Sequence, residues 1–161
     1  IYAELVGCGL SSDAYHLTAP HPEGLGTINV MKNALEDANI KPSDIDYINV
    51  HGTSTPIGDI VELASIVKLF GDDAYKINIS STKSMTGHEC WMAGASEMIY
   101  SILMMQNSFI APNINFESPD EYSKNLHIAT EPVSKTIDAF LSNSFGFGGT
   151  NSALVVKKFK K

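Results

Sequence analysis

Tyr47-Ile48-Asn49-Val50-His51-Gly52-Thr53-Ser54-Thr55-Pro56 is the stretch that decides the fold, together with the helix pattern that follows it. Its first four residues predict a short buried strand that ends at a polar loop. Thr55-Pro56 is typical of a helix start, with threonine as the N-cap and proline in the first helical position. The apolar residues that recur at helical spacing before a stop at Gly71 are Ile60, Leu63, Ala64, Val67 and Phe70.

The strand-loop-helix pattern returns once further along the chain. Residues 76–81 predict a second strand, which runs into a polar segment ending at His88. Thr86 and Glu89 match the Thr-x-x-Glu capping box, so we expect a helix over residues 87–106. Its apolar run is interrupted by polar residues and falls short of the ~20 apolar residues of a membrane span, so we expect it to be buried within the protein.

The remaining elements complete a layered α/β domain. Residues 1–9 predict an opening strand, followed by a loop and an amphipathic helix whose apolar positions are Ile28, Met31, Leu35 and Ala38. Four more strands are predicted at residues 109–114, 126–130, 140–144 and 153–158, the last two forming a hairpin. Alternating strands and helices followed by terminal strands predict a mixed sheet with helices packed on it.

Composition excludes several classes of protein. The 161 residues carry 11 Lys+Arg and 18 Asp+Glu, a net charge of −7, whereas nucleic-acid binders need clustered basic residues. A hydrophobic share of 43% and a charged share of 18% are typical of globular domains. No signal peptide opens the sequence, and because it begins at Ile1 inside a strand-like run, we expect an upstream part of the polypeptide.

Two cysteines, Cys8 and Cys90, lie far apart in the sequence. Their spacing argues against a disulfide framework or a thiolate zinc site and favours a reducing compartment. Cys8 lies in an apolar strand, where we expect it to be buried. The side chain of Cys90 would point about 200° around the predicted helix from His88, which argues against a catalytic thiol.

Two histidines stand at equivalent points of the two strand-loop-helix units. Open α/β sheets place their sites at the carboxyl ends of strands, so we expect His51 and His88 to share one site. His88 would lie in the first turn of its helix, where the macrodipole disfavours the imidazolium form. Two neutral imidazoles can donate to a developing oxyanion, although a histidine taken alone is more often a surface or capping residue.

Lys83 and Glu97 place opposite charges near this expected site. Lys83 lies between the second strand and His88, and Glu97 lies within the predicted helix. A cation beside a developing anion would assist catalysis, and a structural ion pair would use the same two residues. The sequence leaves both interpretations open.

Residues 145–151, Phe-Gly-Phe-Gly-Gly-Thr-Asn, place three glycines and two phenylalanines between the last two predicted strands. Glycines let backbone N–H groups approach a ligand closely. The nucleotide-binding pattern G-x-G-x-x-G fails at its sixth position, which excludes a dinucleotide site here. A tight hairpin turn accounts for the glycines but poorly for the two phenylalanines.

Three segments together resemble the β-ketoacyl-acyl carrier protein synthases of bacterial type II fatty acid synthesis, most closely the type I and type II condensing enzymes. They are residues 51–59 (HGTSTPIGD), 81–88 (STKSMTGH) and 143–151 (NSFGFGGTN), and they occur in the family's order. The resemblance implies a thiolase-like fold built from two similar α/β halves. Residues 1–161 would be the C-terminal half, and the acylated cysteine would belong to the N-terminal half.

The resemblance also implies roles for individual residues. His51 and His88 match the pair that promotes malonyl decarboxylation and stabilises the enolate, and Lys83 matches the active-site lysine with Glu97 as its partner. Phe147 matches both a gating aromatic and one N–H of the oxyanion hole. Residues matched to the pantetheine arm and the acyl substrate are Thr53, Thr55, Phe145 and Gly148. Asn143 would support the site, and a structural cation site is implied at Asn49, Glu97, Ser142 and Asn143.

The implied activity is that of a 3-oxoacyl-[acyl carrier protein] synthase, a decarboxylative Claisen condensation in fatty acid elongation. No cofactor is expected on the protein itself, because the phosphopantetheine is carried by the acyl carrier protein. Expected partners are that carrier, the N-terminal half and a second copy in a homodimer, with no nucleic acid and no membrane, in the cytoplasm. This half alone would be inactive in condensation.

Two alternatives stay open, and one departure from the family matters. The chain could belong to a homologue without the nucleophile that acts as a chain-length partner, or it could be a non-enzymatic binding domain. After Gly87-His88 the family usually has small residues, whereas here Cys90, Trp91 and Met92 follow. Their bulk would shorten or reshape the acyl pocket, or repack the core.

Overall fold

Strands and helices alternate along the first two thirds of the chain, and strands complete it. The computed structural model describes residues 1–160. The strands are β1 (Glu4–Ser12), β2 (Tyr47–Asn49), β3 (Asn78–Ser80), β4 (Phe109–Ile110), β5 (His127–Ile128), β6 (Val133–Ser134), β7 (Ala139–Gly146) and β8 (Thr150–Lys157). The α-helices are α1 (Leu25–Asp37), α2 (Gly58–Phe70), α3 (Lys83–Thr86) and α4 (Ala93–Asn107).

The main sheet is mixed, as predicted, and its six strands follow the order β1-β8-β7-β2-β3-β5. β7, β2, β3 and β5 are parallel neighbours, whereas β8 pairs antiparallel with both β1 and β7. The predicted hairpin is confirmed, since Phe145 pairs with Asn151 and Gly146 with Thr150 across the turn. β4 and β6 form a separate antiparallel pair. The two-residue strand β6 was not predicted, because it is too short to show a periodicity.

Helices cover both faces of the sheet, and side-chain alternation along the strands separates two cores. Ile48 and Leu141 face α1 and α2 and pack in one apolar cluster. Their neighbours Tyr47 and Phe140 face the other way and pack against Met104 and Met105 of α4 in the second cluster. The sheet therefore has two buried faces in its central strands.

The packing of α1 on β1 depends on glycine and overturns one prediction. A Cβ at Gly9 would lie 2.0 Å from the carbonyl oxygen of Val30, so only glycine permits this close approach. Gly7 meets α1 in the same way. Cys8, between them, points to the opposite side of the strand and is exposed, so the prediction that it is buried is wrong.

The predicted helix over residues 87–106 is also wrong at its start. Helix α3 begins earlier, at Lys83, and ends before Gly87, whose φ of +75° leaves the helical region. The hydroxyl of Thr86 donates to the carbonyl oxygens of Thr82 and Gly87, and the carboxylate of Glu89 accepts from Tyr100, so no capping box forms. A short 3-10 turn over Cys90–Met92 leads into α4.

Helix α2 likewise begins two residues later than the proline signal predicts, at Gly58 instead of Pro56. Thr55 still serves the helix start, because its hydroxyl oxygen accepts the N–H of Gly58 at 3.2 Å.

Helix α4 is buried only on its inner side. Ser101, Met104 and Met105 are enclosed, whereas Ile99 is 58% exposed and Leu103 is 49% exposed on the opposite side. The expectation of an entirely buried helix is therefore wrong for the outer face in this chain. Within residues 1–160, no helix combines the length and the apolar character needed to cross a membrane.

Candidate active site

The loop after β2 is held by a buried carboxylate. Glu62 of α2 is 2% exposed, and its two oxygens accept the backbone N–H groups of His51 at 2.9 Å and Gly52 at 3.0 Å. The side-chain amide of Asn143 on β7 donates to the same carboxylate at 3.0 Å. Burial raises the pKa of Glu62 to about 7, and the hydrogen bonds from Gly52, Asn143 and His51 act in the opposite direction.

Sequence reasoning missed Glu62, although its position carried a signal. It lies four residues before Ile66, which is fully buried, so both side chains share the inward face of α2. A charged residue on a buried helix face needs polar partners, and here they are the backbone N–H groups of His51 and Gly52 and the side-chain amide of Asn143.

His51 and His88 come together as predicted. Their ring centroids lie 5.6 Å apart with the rings nearly perpendicular, at 86°. The ring of Phe145 lies 5.5 Å from that of His51. Burial, together with the nearby positive charge of Lys83, lowers the pKa of His51 to about 3. The His51 imidazole is therefore neutral at physiological pH.

His88 is oriented by the backbone and not by a helix dipole. It lies between α3 and α4, outside both helices, so the macrodipole argument does not apply to it. The N–H of Cys90 donates to its Nδ1 at 3.0 Å. An acceptor lone pair on Nδ1 places the proton of the neutral ring on Nε2, which is then a hydrogen-bond donor. Cys90 lies in the 3-10 turn before α4, so the 200° argument, which assumed one α-helix, fails. Its thiol faces the His88 carbonyl oxygen at 3.7 Å.

Both histidines line one open cleft of about 1010 Å³. Other residues predicted for the site also line it, namely Thr53, Thr55, Phe145 and Phe147. The hydroxyl oxygens of Thr53 and Thr55 lie 3.3 Å apart. The structure therefore gathers these six predicted site residues from two loops and the hairpin turn.

The hairpin turn uses its N–H groups in different ways. Gly148 donates to the carbonyl oxygen of Leu17 at 2.6 Å, and Gly149 donates to that of Gly146 at 3.2 Å. The N–H of Phe147 has no hydrogen-bond partner among residues 1–160, and its side chain is 81% exposed. Phe147 can thus offer a donor to a ligand. Gly148, predicted to contact substrate, does not line the cleft, because its N–H holds the turn to the Leu17 loop.

Residues 2–117 match the family model described as "Beta-ketoacyl synthase, C-terminal domain". The chain belongs to the β-ketoacyl synthase family. It is 51% identical over 158 residues to 3-oxoacyl-[acyl-carrier-protein] synthase 2 of Coxiella burnetii (strain RSA 493 / Nine Mile phase I) and 49% identical over 160 residues to 3-oxoacyl-[acyl-carrier-protein] synthase 1 of Escherichia coli (strain K12). These matches cover 98% and 99% of the chain but only 38% of each relative.

Solved structures of β-ketoacyl synthases confirm the thiolase-like fold. One of them is a type II PKS acyl-carrier protein in complex with its ketosynthase bound to the hexaketide. The TM-score is 0.94 at 36% sequence identity, over 99% of this chain and 39% of that chain.

In this β-ketoacyl synthase chain, Lys83 forms an ion pair with Glu97, as predicted. The side chains are 5% and 2% exposed, so the pair is almost fully enclosed. Burial raises the pKa of Glu97, and the hydrogen bond and charge of Lys83 oppose that rise. Lys83 lines a smaller cavity of about 360 Å³ that also contacts His88, and not the main cleft. The positive charge of Lys83 still acts on the site, because it lowers the pKa of His51.

The residues expected to form a cation site fit one only in part. Asn49 of β2 and Ser142 of β7 lie opposite each other on the sheet face that α4 covers. On the same face, the Oε2 of Glu97 is a hydrogen-bond acceptor without a partner among the described residues. The unpartnered atom of Asn49, however, is Nδ2, which is a donor. The Asn143 side chain lies on the opposite face, bonded to Glu62. The four side chains therefore do not converge on one point.

Proposed function

We propose that this chain is the C-terminal part of a 3-oxoacyl-[acyl carrier protein] synthase and supplies the decarboxylating half of its active site. One observation carries the proposal: the rings of His51 and His88 meet edge to face at 5.6 Å in a cleft that is also lined by Phe147, whose N–H has no partner among residues 1–160. Two imidazoles and one backbone N–H are the donors that an enolate and a tetrahedral oxyanion need.

The reaction begins with transfer of an acyl group to a cysteine thiol in the N-terminal part of the enzyme. In the malonyl thioester, the bond between the carboxylate carbon and the α-carbon then breaks and CO2 leaves. The electron pair of that bond forms an enolate, whose oxygen accepts hydrogen bonds from Nε2–H of His51 and His88. The Nδ1 atoms are not available for this, because that of His88 accepts from Cys90 and that of His51 is buried.

Carbon–carbon bond formation completes the cycle. The enolate α-carbon attacks the acyl carbonyl, and the Phe147 N–H donates to the oxyanion of the tetrahedral adduct. Collapse of the adduct breaks the carbon–sulfur bond and expels the cysteine thiolate, which takes a proton from solvent. The product is a 3-oxoacyl thioester on the carrier.

The proposed partners follow from the same cleft. The hydroxyls of Thr53 and Thr55 would bind the phosphopantetheine arm of an acyl carrier protein, and a solved relative is recorded with its own carrier. The chain would pack on its N-terminal part, the complete enzyme would be a homodimer, and it would act in the cytoplasm.

The test is made on the complete enzyme. His51→Ala and His88→Ala should each lower the rate of CO2 release from malonyl carrier protein by about a hundredfold or more, because each removes an enolate donor. Acyl transfer to the cysteine should continue in both variants. His127→Ala, at an exposed position on β5, should leave both steps unchanged. Unreduced CO2 release in the first two variants would contradict the proposal.

A further inference from the structure

Trp91 is the side chain that stands out most in the cleft. It is completely exposed in this chain, at 104%, although an indole ring is costly to leave in water. It lies three residues after His88, in the turn between that histidine and α4. Trp91 lines the same cleft as His51 and His88.

We propose that Trp91 forms the end wall of the acyl compartment and so limits the length of the acyl chain that the enzyme accepts. This inference rests on the proposed function. It assigns a specificity role to a residue that takes no part in the chemistry.

The turn that carries Trp91 is anchored on both sides. On the side of His88, the Cys90 N–H donates to the His88 Nδ1 at 3.0 Å, and the Met92 N–H closes the turn itself by donating to the carbonyl oxygen of Glu89 at 3.1 Å. After it, helix α4 begins close against β7, where a Cβ at Gly94 would lie 3.2 Å from the hydroxyl of Ser144. The backbone of the turn is therefore held beside His88 at one end and close to the sheet at the other, which fixes the point from which the indole extends.

The chemistry of the lining places the acyl chain beside Trp91. The large apolar side chains of the cleft are Trp91, Phe145 and Phe147, whereas Thr53, Thr55 and Asp59 contribute polar groups to its lining. An alkyl chain gains about fourfold in affinity for each methylene that leaves water, so it will extend along the apolar wall. The indole is a larger side chain than leucine and a stiffer one than methionine, so an alkyl chain that reaches it must stop.

The test compares acyl carrier protein substrates of increasing length with the complete enzyme. Trp91→Ala should raise kcat/KM for the hexadecanoyl primer relative to the hexanoyl primer by about tenfold or more, because the wall is removed. Met92→Ala is the matched control. Met92 lies in the same turn and is 58% exposed, but it does not line the cleft, so its replacement should leave the ratio within about twofold.

An unchanged ratio in a folded Trp91→Ala enzyme would overturn the inference. If that variant fails to fold, Trp91→Leu decides the question, because the smaller leucine should shift the ratio in the same direction by a lesser amount. A wild-type enzyme that condenses no primer of any length would refute the proposed function instead. If the wild-type enzyme condenses but the Trp91 variants keep its preference for acyl-chain length, only the role of Trp91 is refuted.

Discussion

The carboxylate of Glu62 accepts the backbone N–H of His51 at 2.9 Å and leaves the imidazole of that residue to face the cleft. The ring is thereby positioned through the main chain, and the negative charge that holds the loop does not pair with it. Burial and the positive charge of Lys83 keep the ring neutral. This arrangement suits a hydrogen-bond donor better than a general base, which would need a higher proton affinity.

Glu62→Gln should loosen the His51 loop. A glutamine side chain can accept from only one of the two N–H groups, and its own amide hydrogens would face the other, so we expect a loss of about 1–3 kcal/mol in the free energy of unfolding. Urea denaturation would measure it, and CO2 release should slow while acyl loading persists. The control is Glu36→Gln on α1, where the side chain is 63% exposed and the change should cost little. Equal losses of unfolding free energy at Glu62 and Glu36 would contradict the proposal that the Glu62 carboxylate holds the His51 loop.

The low pKa of His51 predicts how stability depends on pH. In the folded protein this pKa is about 3, against the ordinary value of 6.5 for a histidine in the unfolded chain. Between these values the unfolded state binds a proton that the folded imidazole does not, so the contribution of His51 to stability falls as the pH drops from 6.5 toward 3, whereas the raised pKa of Glu62 acts in the opposite direction. His51→Gln should remove this contribution, so its stability should fall less than that of the wild type as the pH drops, measured by urea denaturation at pH 7, 6, 5 and 4. His127→Gln serves as the exposed control, and identical slopes for wild type and His51→Gln would refute the prediction.

The buried pair of Lys83 and Glu97 should be strongly coupled. Lys83→Met leaves an enclosed carboxylate without its cation, and we expect a loss of about 3–5 kcal/mol in unfolding free energy. Adding Glu97→Gln should recover part of that loss in a double-mutant cycle. The exposed pair Lys32–Glu36, at 3.6 Å, is the control, and its coupling should stay below about 1 kcal/mol. Additive costs at Lys83 and Glu97 would show that the pair contributes no coupling.

Gly52 should tolerate substitution less than Gly71. Both have positive φ, +43° and +55°, so alanine is strained at either position. A Cβ at Gly52 would also lie 2.7 Å from the Cβ of Ser81, whereas nothing lies within 4 Å of a Cβ at Gly71. Gly71→Ala should cost about 1–2 kcal/mol, and Gly52→Ala should cost more and slow decarboxylation by moving His51. Thermal unfolding and CO2 release would measure the two effects, and equal behaviour of both variants would argue against crowding at Gly52.

Short-range patterns located most of the elements. The buried strand at Tyr47–Asn49, the two polar loops and the final hairpin were all predicted, because strand periodicity and turn residues are local features. The capping-box prediction at Thr86 and Glu89 failed for a long-range reason. The Glu89 carboxylate accepts from Tyr100 on α4, and Gly87 turns the chain out of the helix first.

The sequence alone determined the order of strands and helices and the three motifs, since each depends on neighbours along the chain. The net negative charge follows from the composition. The approach of His51 to His88 and the burial of Lys83 with Glu97 belong to the tertiary structure. The hydrogen bonds from the His51 and Gly52 N–H groups to Glu62 also belong to the tertiary structure. Each of these joins separate elements, and their meeting depends on which face of the sheet each helix covers and on how closely the glycines let the backbone approach.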